Sequence, residues 1–242
     1  MGGCCETNRN KDDHSEKTEK NSHTKEKPQS KPKIDPPKQE IESTLIALKT
    51  SNQAETIHLA LLVAKVPYRE TLLSPSEWTE RSQAFPHEQL PMLETTGRQL
   101  MGREAVLRYI CQTRGMYPAL TDWKAVYLCE SVCEGVAEQR RELEAGIQNG
   151  ALAQNRAYKE ARSLLVGLDS RVQGSSPYLI GETLTMADLQ CLDFLWTFYL
   201  SPTKRLAHGT KVPALLDGYI NTLLNTHPEL IIALEARLSR TT

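Results

Sequence analysis

The residues best suited to chemistry by type and spacing stand at the start of the chain, in Met1-Gly2-Gly3-Cys4-Cys5-Glu6-Thr7. Gly2 suits N-myristoylation once Met1 is removed, and Cys4 and Cys5 behind it suit S-palmitoylation. One myristoyl chain holds a membrane only marginally, so a stable anchor needs a second signal, and the two cysteines supply it. The pattern departs at Glu6, where Ser or Thr is favoured, with Thr7 one place late. The plain alternative is a chain start with incidental cysteines. A second stretch is Gln89-Leu90-Pro91-Met92-Leu93-Glu94, followed by Thr95-Thr96-Gly97. Pro91 cannot donate to a sheet ladder, so it opens a strand, lies on an edge or bends the chain, and a Leu90–Pro91 bond can be cis at modest cost. An ordinary turn before a hairpin fits these six residues equally well.

Elsewhere the chemistry is sparse. The six histidines are scattered without metal spacing, and no glycine-rich phosphate loop, His-Glu-x-x-His or G-x-S-x-G is present. Cys111, Cys129, Cys133 and Cys191 form no CxxC pair and read as reduced, mostly buried thiols in a cytosolic setting. A net charge of -1 over 242 residues gives no reason to expect a nucleic-acid partner. No apolar run reaches the roughly 20 residues of a membrane-spanning helix, so the body reads as soluble. Residues 6–40 carry lysines interleaved with acidic residues and almost nothing to bury, which predicts a disordered arm without the dense basic cluster that draws anionic lipid.

The elements that follow have a definite order. Residues 42–48 read as a buried strand, and Ser51 or Asn52 can cap a helix carrying Ala54, Ile57, Leu61 and Ala64. A strand over 68–73, a short helix opened by Ser74-Pro75 and the Pro91 strand come next. A hairpin at Gly97 and a helix over Ala105, Val106, Tyr109 and Ile110 complete a β-α-β-α-β-β-α mixed sheet. Beyond Gly115-Met116-Tyr117-Pro118 every pattern is helical: 121–148, 152–173, a helix opened by Thr185 and Asp188 in capping-box spacing, 212–225 and 228–239. The domains are therefore 1–40 (arm), 41–114 (small α/β) and 120–242 (all-helical).

This order, with Gln-Leu-Pro-Met-Leu at 89–93, Tyr-Leu-Ile-Gly-Glu-Thr-Leu-Thr-Met-Ala-Asp at 178–188 and Leu-Leu-Asn-Thr-His-Pro-Glu-Leu at 223–230, resembles the glutathione transferase family, its sigma-like branch above all. The resemblance covers roughly residues 43–239. It implies a thioredoxin-like domain, with Pro91 its cis-proline, followed by a helical domain, and glutathione as a cosubstrate rather than a permanently bound cofactor. In such a site the Leu90 backbone pairs with the peptide, Gln89 bonds it, Trp78 stands near the glycine end, and a hydroxyl stabilises the thiolate.

The side-chain half of that site is damaged. The sigma-like tyrosine falls at Ala47, the Gln-Ser pair for the γ-glutamyl group at Gly102-Arg103, a lysine at Ser82 and an arginine at Gln53. In serine-using branches the hydroxyl comes from the start of the first helix, where Ser51 lands with Thr50 beside it; a plain N-cap is the simpler role for Ser51. Arg103 suits a ligand carboxylate or the surface equally. Glu130 and Glu134 fall near where a partner subunit's acidic residue would reach the amino group, or are exposed helix charges. The expected function is a lipid-anchored, glutathione-transferase-like scaffold or interaction module on the cytoplasmic face of a membrane, with a degraded site, a protein partner and a homodimeric state. The alternatives are an active transferase that conjugates hydrophobic electrophiles through Ser51, and a non-catalytic carrier of hydrophobic ligands.

Overall fold

A computed structural model describes residues 43–84, 89–172, 176–201 and 211–240, the last three by backbone alone. The Gly2, Cys4 and Cys5 acylation signature and the arm lie outside the described residues. Four strands, β1 (Ser43–Leu48), β2 (Tyr68–Leu73), β3 (Met92–Thr95) and β4 (Arg98–Met101), form one sheet in the order β2-β1-β3-β4. β1 runs parallel to β2 through the crossover helix α1 (Glu55–Val63) and antiparallel to β3. β3 and β4 meet at a two-residue turn, Thr96-Gly97, with φ of 45° and 72°, the two positive values that a type I′ hairpin needs. The helices α2 (Pro75–Ser82) and α3 (Arg103–Thr113) complete the expected β-α-β-α-β-β-α order.

The second half is helical: α4 (Trp123–Gln148), α5 (Ala151–Glu160), α6 (Arg162–Val172), α7 (Met186–Leu195) extended by a π-turn at Trp196–Leu200, α8 (Ala214–Thr226) and α9 (Pro228–Arg240). The single helix expected over 152–173 is divided at Ala161. Backbone bonds continue through that point, Ala161 N–H to Ala157 O and Leu165 N–H to Ala161 O, so the division is a kink rather than a turn. α7 opens as its sequence predicts: the Asp188 carboxylate takes the Thr185 N–H at 2.6 Å and the Leu179 N–H at 2.8 Å, with the Tyr219 hydroxyl as a third donor.

Alternation along β1 divides the core. Leu45 and Ala47 face α1 and α3 and join a cluster that runs on through Val106, Leu143, Leu165 and Phe194. Ile46 faces the other way, onto Leu73 and Met92, with Trp78 of α2, Leu90 and Met101 packed against them. The large cluster is continuous through both halves, so the helical half is the second wall of the core that the small sheet needs.

Candidate functional site

The Leu90–Pro91 peptide is cis, the alternative that fits a thioredoxin-like sheet. Pro91 is buried just before β3, and its carbonyl accepts the Gly102 N–H at 3.1 Å, tying the proline loop to the start of α3. Gln89 is exposed, and its amide oxygen lies 3.2 Å from where a Cβ on Gly102 would stand. Trp78 is half-buried against the small cluster behind the sheet, as a local anchor would be.

Ser51 is not the N-cap of α1. That place is held by Ala54, which has no capping side chain, and the Ser51 hydroxyl instead accepts the Gln53 N–H at 3.2 Å within the preceding turn. The cause is local: Ser51 N–H closes onto Leu48 O and Glu55 N–H onto Asn52 O, so the chain makes two turns before the helix begins. Thr50, Asn52 and Gln53 are exposed, whereas Ser82 is buried with its hydroxyl on Thr79 O.

Between Ala47, Ser51, Gln53 and the proline loop there is a crevice of only about 10 Å³, room for about one water. Ala47 is 4% exposed. A much larger cleft of about 290 Å³ adjoins this crevice, sharing Ala47, Leu48, Ser51 and Ala54 and including Lys49, Glu55, His58, Glu70 and Arg237 among its walls. His58 is fixed there by Tyr68 (2.7 Å, Nδ1 to the hydroxyl) and Glu70 (2.8 Å from Nε2).

Arg103 is neither a surface cation nor turned toward the proline loop. Its guanidinium points into the body, donating to Thr56 Oγ1 at 2.8 Å and Asp193 Oδ2 at 3.1 Å. The same carboxylate receives Arg140 at 2.7 Å, Arg237 at 2.8 Å and the Thr56 hydroxyl at 2.6 Å. Asp193 is fully buried, and the side chains of its three arginines are 12%, 3% and 6% exposed. Burial alone would raise the Asp193 pKa, but Arg140, Arg103 and Arg237 outweigh it and hold it down at about 2. Burial presses Arg140 the other way, to about 10, against the pull of Asp193. This node joins α1 and α3 to α4, α7 and α9. Its signal in the sequence is a carboxylate inside the apolar run Leu-Asp-Phe-Leu-Trp at 192–196, which a buried helix tolerates only with cations to meet it.

Glu130 is also committed. Arg108 grips it with two bonds at 2.8 and 2.7 Å and Tyr117 donates at 2.5 Å, which together hold the carboxyl below its usual range while burial opposes them. Glu134 is exposed on α4. Among the described residues no group of His, Cys, Asp and Glu could hold a metal, and no helix is long and apolar enough to cross a membrane.

No family model matches the chain. Its sequence is similar to S-crystallin 2 of Octopus vulgaris, 24% identical over 196 residues, covering 71% of this chain and 88% of the crystallin. S-crystallin 3 of Enteroctopus dofleini is 21% identical over 216 residues, covering 80% and 96%. Among solved structures, the Pi-class glutathione S-transferase of Onchocerca volvulus superposes with a TM-score of 0.69 at 18% identity, over 83% of this chain and 95% of that one. The chain has the glutathione-transferase fold. A Nu-class transferase of Haemonchus contortus gives 0.65 at 19% identity over 81% and 97%. A transferase of Necator americanus described as monomeric gives 0.67 at 20% over the same shares.

Proposed function

We propose that this protein is a divergent glutathione-transferase relative that has lost its glutathione chemistry and works as a scaffold or interaction module. It is held at the cytoplasmic face of a membrane by acylated Gly2, Cys4 and Cys5, and it acts as a homodimer with a protein partner. The observation that carries the loss is Ala47 itself, a buried side chain where the resemblance places the hydroxyl that stabilises a thiolate. A thiolate would need a hydroxyl there, and Ala47 supplies none. Arg103 adds to it, because the one new cation near the γ-glutamyl end is already bonded to Asp193 and Thr56. Losing a donor to a charged group costs about 1.5–3 kcal/mol, and four ligand positions are substituted. A folded body tethered at a membrane raises the local concentration of whatever it binds.

The rival reading, a transferase using Ser51, draws support from the cleft of about 290 Å³ beside that hydroxyl. Retention on immobilised glutathione, followed by conjugation of a generic aromatic electrophile, separates the two. The scaffold reading expects neither; turnover that disappears in Ser51→Ala overturns it. Gly2→Ala is expected to move the protein from the membrane to the soluble fraction, and unchanged association refutes the anchor.

A further inference from the structure

The large apolar side chains left exposed are not spread evenly over the molecule. Among the described residues the most exposed are Leu152, Leu120, Trp123, Ile232 and Tyr127. Three of these, Leu120, Trp123 and Tyr127 at 73%, 73% and 65%, fall within one short stretch at the start of α4, whereas Leu152 and Ile232 stand singly on α5 and α9. Asp122 opens the helix, its carboxylate accepting the Ala125 N–H at 3.0 Å, and the Asp122 N–H closes a turn onto Ala119 O at 2.8 Å. That cap places Trp123 and Tyr127 one turn apart on the same helix face, with Leu120 in the turn just ahead. Together they offer roughly 300–450 Å² of apolar surface, a size at which an exposed patch is often functional.

The chemistry around the patch indicates what covers it. It stands on a turn and a helix start and lines none of the clefts, so it suits a surface that yields to it more than one that must hold a matching pocket. The nearby carboxylates are already engaged, Asp122 by the start of α4 and Glu130 by Arg108 and Tyr117, while Arg114 and Lys124 stand exposed. Trp and Tyr, each an apolar ring with a polar edge, are the side chains that settle at the headgroup level of a bilayer. The chain ahead of β1 leads back to Gly2, Cys4 and Cys5. Ser43 follows Cys5 by 38 residues, so even a fully extended chain holds β1 within about 130 Å of an anchor there. We infer that the start of α4 is a lipid-contact surface, with Leu120, Trp123 and Tyr127 seated in the headgroup layer of the membrane that the acylated N-terminus holds. Tethering raises the effective concentration of that membrane, so a contact of modest affinity is enough to orient the body on it. The inference rests on the membrane anchor proposed above and adds the face that the body turns to the lipid.

Tryptophan fluorescence tests it. The chain has three tryptophans, and Trp78 and Trp196 are half-buried, so Trp123 is the one that a lipid surface reaches first. The unacylated full-length chain is titrated with vesicles of phosphatidylcholine and phosphatidylserine, plain or with brominated acyl chains. Binding should shift the emission to the blue, and the brominated lipid should quench it. Trp123→Ser combined with Tyr127→Ser should remove both changes and lower vesicle partitioning roughly tenfold or more, with thermal unfolding unchanged because both positions are exposed. Added salt should leave most of the binding in place, since apolar contact carries it. Emission that neither shifts nor quenches at any lipid concentration overturns the surface. Emission that shifts on concentrating the protein without vesicles assigns the patch to a second copy and overturns it as well. Gly2→Ala reads the anchor separately. If that variant stays at the membrane in cells and is still quenched by vesicles, the acyl anchor fails and the lipid surface stands. If it is released in cells and the unacylated chain is not quenched, the anchor stands and the surface falls.

Discussion

Replacing Asp193 by asparagine should be among the most damaging single changes available in this chain. The carboxylate is fully buried and meets Arg103, Arg140 and Arg237 at 3.1, 2.7 and 2.8 Å. Asparagine keeps the shape and removes the charge, leaving three guanidinium groups in the interior without the carboxylate they share; Glu104 stands 3.7 Å from Arg103 and Glu144 4.0 Å from Arg140. Breaking a buried pair in this way costs about 3–5 kcal/mol. For a chain of this size that is a fall in Tm of roughly 6–20 °C.

The pH dependence gives a second, independent magnitude. Asp193 has its pKa lowered in the fold, from 3.8 to about 2, so its contribution is fully present above about pH 4 and is lost as pH falls through 3 toward 2. The difference corresponds to about 2.4 kcal/mol in total and about 1 kcal/mol by pH 3. It is smaller than the deletion cost because a protonated carboxyl keeps lone pairs on both oxygens, whereas the asparagine amide nitrogen accepts nothing from arginine. Urea unfolding of the wild type and Asp193→Asn at pH 6 and pH 3 measures both quantities, and the other carboxylates cancel in the difference between the two proteins. The gap should be about 3–5 kcal/mol at pH 6 and about 1 kcal/mol narrower at pH 3. A variant within 1 kcal/mol of wild type at pH 6, or a gap that does not narrow, refutes the node as a source of stability.

Arg103→Ser restores the residue type that the resemblance places there. It should cost about 1.5–3 kcal/mol in urea unfolding by removing the bonds to Thr56 and Asp193, and it should not bring retention on glutathione. Gly146→Ala and Gly167→Ala should differ in sign. A Cβ at Gly146 would stand 2.9 Å from the Ala157 Cβ and 3.1 Å from the Ala153 carbonyl, so overpacking of about 1–3 kcal/mol outweighs the helix-propensity gain. At Gly167 only the gain of roughly 0.5–1 kcal/mol remains, which thermal unfolding of the two variants would read directly.

How far these features could be read in the sequence depended on the range of the forces behind them. The Pro91 strand, the Thr96-Gly97 hairpin and the Thr185–Asp188 helix start were legible because each is fixed by residues within a few positions of one another. The start of α1 was misplaced for the same reason seen from the other side. Ser51 and Asn52 are good capping types, but backbone turns at Leu48–Ser51 and Asn52–Glu55 absorbed them before the helix began. The Asp193 node was not legible as a unit, since its arginines lie 90, 53 and 44 residues away in sequence. Each of them alone resembles an ordinary charged helix residue.

Arg103 connects the sheet half of the molecule to its helical half. Where the family resemblance calls for a small hydroxyl residue facing a ligand, the chain has a long cation, and the first question is whether that cation replaces the lost contact. The position of its partners answers it physically. A guanidinium reaching the proline loop would give up its bonds to Thr56 and Asp193, about 1.5–3 kcal/mol for a hydrogen bond to a charged group. A glutathione carboxylate at a solvent-open cleft offers an exposed ion pair worth about 0–1 kcal/mol in return. The inward conformation is therefore favoured. One side chain thus turns away from where the resemblance places the γ-glutamyl group and fastens the sheet half of the molecule to its helical half.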